Sequence, residues 1–467
     1  MISGEKYIVA RKENDLGRDP IGRLLFRLAL PAIAAQLVNM LYNIVDRIYI
    51  GHIPEVGATA LTGVGVTFPV LMLISAFSSL IGMGGAPRAS IKMGEQDMDG
   101  AEKILGNCFL LLLCFSVMLT ALFLLSGETL LRWFGASGKT MPYALDYMNI
   151  YVCGTIFVQI SLGLNSFISS QGFAKESMLT VLIGAVINIV LDPVFIFVFD
   201  MGVRGAALAT ILSQGVSCVW VLRFLFGRRT KLRLHRRNMR LQVGTLLPVL
   251  ALGVSPFIMQ STESLLTIAF NSSLQKYGGD PAVGAMTILS SVMQMLLMPL
   301  MGLTQGAQPI IGYNFGARDT ARVKKTFRLL LIGSLSFTML YWLSCMLLPG
   351  AITSLFSSDA SLREISVWAM RIYFATAFVM GAQIACQQTF IAVGQAASSL
   401  FLALLRKIIL LIPLILVLPF FFQDKVFGVL LAEPVADFLA TTVTVTLFSF
   451  QFPRLLKRRE LEAPQNA

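Results

Sequence analysis

The chain has 467 residues, 56% of them apolar and only 13% charged, with a mean hydropathy of +0.75. A soluble domain carries about a quarter charged residues, so this composition excludes a soluble globular protein. The net charge of +12 does not point to nucleic acid either, because the bases gather in short loops between apolar runs, where the positive-inside rule accounts for them.

In chain order, a polar tail (1–23) leads into apolar runs at 24–46, 58–83, 104–126, 143–168, 177–199 and 203–226. A basic segment at 228–243 follows, then runs at 244–272, 282–312, 326–349, 365–391, 398–421 and 426–449, and a tail at 451–467. Each run is long enough to span about 30 Å of hydrocarbon. There the backbone must satisfy its own hydrogen bonds, and the runs lack the ten-residue alternation of barrel strands. The expected fold is therefore an all-α polytopic membrane protein with twelve transmembrane helices, in two six-helix lobes at 24–227 and 244–450. Pro31, Pro69, Pro193, Pro256, Pro299 and Pro413 mark kinks inside spans. The bias of Lys and Arg places both termini in the cytoplasm of a bacterial cell. The first apolar run is too long for a cleavable leader and is expected to stay as an anchor.

The two lobes repeat one another. Pro87-Arg88-Ala89-Ser90-Ile91-Lys92-Met93-Gly94, then Asp97 and Lys103, follow the second span. Pro309-Ile310-Ile311-Gly312-Tyr313-Asn314-Phe315-Gly316, then Asp319 and Lys325, follow the eighth at the same spacing. Two six-span halves of equal orientation form a parallel repeat, and transporters of this build place their sites within or between the halves.

An ionisable group at the bilayer centre costs about 3 kcal/mol on insertion scales, so each calls for a reason. Gln36, Asn39, Asn43 and Asp46 fall on one face of the first span, which should look into a wet cavity; the alternative is an interfacial Asp46–Arg47 pair at the outer helix end. Thr180, Gly184, Asn188 and Asp192 share a face of the fifth span, with Pro193 freeing a carbonyl nearby; Asp192 is then an ion carrier or a polar plug for the kink. Glu263 lies near the middle of the seventh span on a face with Gln260 and Thr267, and serves either coupling or interhelical hydrogen bonding. Asp437, after Glu433 and Pro434, is positioned to pair with Arg406, with Lys407 or with a lipid headgroup. A buried carboxyl that takes a proton from one side and an organic cation from the other is the minimum chemistry of an antiporter. Met293, Met295, Met298 and Met301 offer an adaptable apolar surface, with Met293 a cavity candidate.

Six cysteines without a CxxC pair read as buried hydrophobes. With two histidines, no HExxH and no GxxxxGK[ST], neither a metal site nor an ATP motor is expected. No Ser–His or Asp–Asp pairing suggests an intramembrane enzyme, so no catalytic residues are assigned.

Several stretches resemble the multidrug and toxic compound extrusion (MATE) family, in particular a bacterial branch. They are Tyr42–Gly51, Asn188–Pro193, Gln308–Ala317, Arg406–Leu410 and Ala432–Asp437, five in order within a doubled twelve-span frame. The resemblance implies two lobes around a central cleft. It also implies export of lipophilic, often cationic drugs in exchange for H+ or Na+, without a cofactor, by a protein working as a monomer in the lipid bilayer. Asp46 and Asp192 match the family's first- and fifth-helix aspartates, linked to coupling; Glu263 matches the seventh-helix acid of part of the family. Gln383, Gln387 and Gln388 stand near the tenth-span position where other branches carry a further acid. The alternative is a flippase of a lipid-linked or amphipathic metabolite. Such proteins line their cavities with bases to grip pyrophosphate, and these spans read as nearly free of interior bases.

Overall fold

The computed structural model describes residues 14–357 and 359–462; most of the N-terminal tail and the last five residues lie outside them. All regular structure among the described residues is helical. Helices α1 (Ile21–Gly51), α2 (Gly57–Gly94) and α3 (Met98–Trp133) are the first three crossings. The fourth is broken, with α4 (Met141–Cys153) and α5 (Thr155–Ser170) meeting at 58° beside Gly154. Helix α6 (Ala174–Pro193) runs into a π turn at Val194–Val198, and α7 (Gly202–Phe226) closes the first lobe. Proline supplies no N–H to its helix, and such bulges recur where the ladder is disturbed.

Helix α8 (Val243–Gly316) has 74 residues, about 110 Å at the α-helical rise. That is far more than one bilayer. It breaks at Gly279, whose φ of 65° lies in the left-handed region, so it makes two crossings. Helices α9 (Thr320–Leu347) and α10 (Pro349–Ser354) follow, and α11 (Ala360–Tyr373) bends by 50° into α12 (Met380–Ala392). Helix α13 (Ala396–Leu404), a π turn at Leu405–Leu411 and α14 (Ile412–Val417) form the eleventh crossing, and α15 (Lys425–Leu461) the twelfth. The twelve crossings thus fall where the apolar runs place them. Helix α15 continues past the apolar run to Leu461, because Lys and Arg propagate a helix well.

Side chains such as Leu125 (89% exposed), Val117 (70%) and Phe199 (61%) stand outward, which water would penalise and lipid favours. Of the six free cysteines, Cys108, Cys218, Cys345 and Cys386 are buried, whereas Cys114 and Cys153 sit on outer helix faces.

The cores show how the lobes meet. Away from the basic loops each lobe has its own: Ile50, Phe123, Tyr147 and Ile196 in the first, Phe270, Leu289, Phe374 and Val429 in the second. At the basic end the cores merge. Leu24 and Leu28 pack with Ile310, Phe390 and Phe448, and Leu80, Leu105 and Phe167 with Val249.

The duplicated motifs make this closure. Ends of α2 and α8 cross at glycines so closely that a Cβ on Gly94 would lie 1.9 Å from the Tyr313 carbonyl oxygen, and one on Gly316 would lie 2.0 Å from that of Ile91. Beyond each crossing the chain turns identically. Gln96 and Arg318 both have φ of 63°. Asp97 then caps α3 by accepting from Gly100 N (2.8 Å), and Asp319 caps α9 by accepting from Arg322 N (2.9 Å). Arg459 of α15 ties the lobes further, donating to Glu95 and to the Phe315 carbonyl (3.2 Å). Gly94→Ala should therefore pry the basic end apart. A reporter Ser90→Cys, buried at present, should then react with thiol reagents faster than in the parent background, and unchanged labelling would refute this role for the glycine.

Candidate functional site

Helix α1 packs along α6, which brings the two polar stripes of the first lobe face to face. Asp192 is fully buried and Asn188 nearly so. The Asn188 amide donates to Asp192 Oδ1 (3.1 Å) and to Thr210 Oγ1 (3.4 Å). Asp46 and Asp192, far apart in sequence, lie within hydrogen-bonding reach of each other. Each still turns a buried oxygen, Asp46 Oδ1 and Asp192 Oδ2, toward no donor. Two ionised carboxylates cannot donate, so the bond between them forms only when one carries a proton. Neither aspartate has an ion-pair partner among the described residues; the Arg47 side chain lies over the Phe68 ring instead. Tyr42, Tyr147 and Tyr151 stand around the pair.

Toward the basic end a cavity of about 220 Å³ opens between the helices of the first lobe and α8 of the second, with Tyr42 in its wall. Gln36, Asn39, Asn165, Gln214, Gln305 and Gln308 line it together with serines of α2, α5, α6 and α7, and among the described residues no Asp, Glu, Lys, Arg or His does. Asn165 Oδ1 is buried there without a partner. The sequence reading names Gln36 and Asn39 but misses the rest. The signal was present: Ser161, Asn165 and Ser169 follow one another at helical steps of four on α5. Gly184 and Ala185 form part of the wall, and their small side chains leave the space open. Asn43 donates to the Asn39 carbonyl (2.6 Å) and is exposed to the cleft between the lobes.

The second lobe is built differently. The Glu263 side chain is 55% exposed at the cleft and pairs with Lys407, which is 4% exposed. Lys407 Nζ also donates to the Met259 carbonyl (2.6 Å). Arg406 donates from Nε to Asp437 Oδ1 (2.7 Å) and from a terminal nitrogen to Glu433 Oε1 (3.1 Å). Of the partners open to Asp437, the packing selects Arg406. The expectation that the spans lack interior bases is corrected here. The eleventh crossing begins at Ala396, so Arg406 and Lys407, in its Leu405–Leu411 π turn, sit about 15 Å along it, near the middle of a span.

Gln260 reaches across the cleft floor, donating to Ser79 Oγ (2.8 Å), and Gln36 donates to Gln305 Oε1 (3.3 Å). Among the described residues these are the hydrogen bonds between the lobes farthest from the basic end. Thr267 spends its hydroxyl on the Glu263 carbonyl (3.0 Å). Met293 is 8% exposed and packs in the core of the second lobe, not on a cavity wall, whereas Met295 is exposed. Gln388 accepts from Gln308 (2.7 Å), which ties α12 to the cavity wall.

Twelve apolar crossings and two lobes closed at one end around a polar cavity define a multi-pass membrane protein. The MatE family model matches twice, at residues 31–194 and 256–417. The chain belongs to the MatE family, and the double match is the internal repeat seen in the sequence. It is similar to "Multidrug export protein MepA" of Staphylococcus haemolyticus, 24% identical over 91% of this chain and 94% of that one. The protein of that name from Staphylococcus aureus strain NCTC 8325 is 22% identical over 92% and 95%. Solved structures share the fold: a MATE protein in its bent conformation at TM-score 0.89, and an outward-facing multidrug resistance MATE family transporter at 0.88. Both are 23% identical and cover 96% of this chain and 100% of theirs.

Proposed function

We propose that this protein exports small lipophilic, often cationic organic molecules from the cytoplasm by alternating access, in exchange for protons or sodium. The carrying observation is the Asp46–Asp192 pair, a half-buried and a fully buried carboxyl group with no ion-pair partner among the described residues, at the head of a cavity whose described lining carries no charge. If the basic end is cytoplasmic, as the positive-inside rule requires, the conformation described is closed to the cytoplasm. A proton on the pair permits the shared hydrogen bond and draws α1 onto α6. Its loss leaves two like charges in a poorly solvated site, which repel. Helix α1 has a natural hinge at Pro31, where the ladder lacks one donor. A change in the pair is thereby coupled to the shape of the cavity that α1 lines. The names of the staphylococcal relatives, multidrug export proteins, support the export reading.

The flippase alternative gains two interior bases from the structure but no anion site. Arg406 and Lys407 are both taken up by carboxylates.

The test uses everted membrane vesicles carrying an inward proton gradient read by a pH-sensitive dye. Ethidium should collapse the gradient with the native protein and not with Asp192→Asn. A response that requires sodium would change the ion and keep the exporter. Silence with and without sodium would refute the proposal.

A further inference from the structure

We propose that Lys407 is a tethered cation that occupies the position a coupling ion would take in the second lobe, so that Glu263 is closed to external cations. The inference rests on the exporter reading and assigns its ion coupling to one lobe. A carboxylate oxygen and a backbone carbonyl are the hard donors that hold a small cation. Here the Glu263 carboxylate and the Met259 carbonyl converge on Lys407 Nζ. The ammonium has the same charge as sodium or a proton but cannot leave. The neighbouring acids Glu433 and Asp437 share the Arg406 guanidinium, which balances one of their two charges. Tyr373 is the remaining titratable group against the cluster.

The internal repeat shows what was exchanged. Left-handed glycines, Gly172 and Gly394, precede α6 and α13. Counting equally from each, Gly184 and Ala185 of α6 correspond to Arg406 and Lys407 in the π turn that follows α13. In the first lobe the small residues leave a cavity open, and neither aspartate has an ion-pair partner among the described residues. In the second lobe the same two positions carry bases that fill the space and pair with the acids, Lys407 with Glu263 and Arg406 with both Glu433 and Asp437. One frame thus yields a lobe able to bind a mobile cation and a lobe with its cations built in. Lys407 then determines ion specificity for the whole protein.

The test needs no transport, so it can fail independently of the exporter reading. The thermal stability of purified protein would be followed as sodium chloride replaces choline chloride at constant ionic strength. In the native protein no sodium-specific shift sensitive to Glu263→Gln is expected. Lys407→Gln, which keeps a donor for the Met259 carbonyl, should acquire a sodium-specific rise in Tm that Glu263→Gln removes. A folded Lys407→Gln protein that gains no such rise would overturn the proposal. If that variant does not fold, the native protein still decides. A sodium shift lost on Glu263→Gln would overturn the proposal, and a response the same with and without Glu263→Gln would uphold it.

Discussion

Asp192→Asn should leave the protein folded and reduce drug export to the level of cells without it. The two effects separate for a physical reason. The amide has nearly the volume of the carboxyl group and can donate permanently to Asp46, as a protonated Asp192 would. It also keeps an oxygen for Asn188. What it loses is the ability to give up a proton or hold a cation, and with it the switch that moves α1. Asp46→Asn should behave alike, and the double variant should be no worse than either single one, because the two groups act as a unit. Folded protein would be measured by size-exclusion chromatography in detergent, and export by ethidium efflux. Asp192→Asn protein that still exports ethidium against a gradient would remove the carboxyl pair from the mechanism.

Arg406→Gln should have the opposite profile, a severe loss of stability. Glu433 and Asp437 are 4% and 2% exposed, and both lean on this guanidinium. Removing one partner of a buried ion pair costs about 3–5 kcal/mol, because the other charge stays buried and unpaired. The yield of folded protein should fall sharply, and what remains should melt several degrees lower. Replacing the acids too, as Arg406→Gln with Glu433→Gln and Asp437→Asn, should restore most of the loss, since a neutral hydrogen-bonding cluster has no charge to strand. A single variant as stable as the native protein would show that the network carries no net weight.

The crossings were legible because a lipid-spanning helix must be both long and apolar, and nothing else in the chain is. The repeat was legible because the Gly94 and Gly316 crossings and the Asp97 and Asp319 caps demand particular residue types at fixed spacing. The bends beside Gly154 and between α11 and α12 were not, because no proline marks either one. The two polar stripes ending in Asp46 and Asp192 could be read one helix at a time, but their meeting is a fact of α1 packing on α6. The same limit hid Lys407–Glu263, whose partners are 144 residues apart. The amide cavity escaped because single Ser, Asn and Gln residues spread over five helices barely change local hydropathy. Met293 was misplaced because the methionine cluster winds around α8, so neighbours in sequence face a core and an open surface alternately.

The most direct test of the central claim, that the Asp46–Asp192 pair exchanges the coupling ion against substrate, is proton release. Purified native protein in weakly buffered solution should release protons when a lipophilic cation such as ethidium is added, and the Asp46→Asn/Asp192→Asn protein should bind ethidium without release. Equal release from both proteins would contradict the account and place the exchanged proton elsewhere.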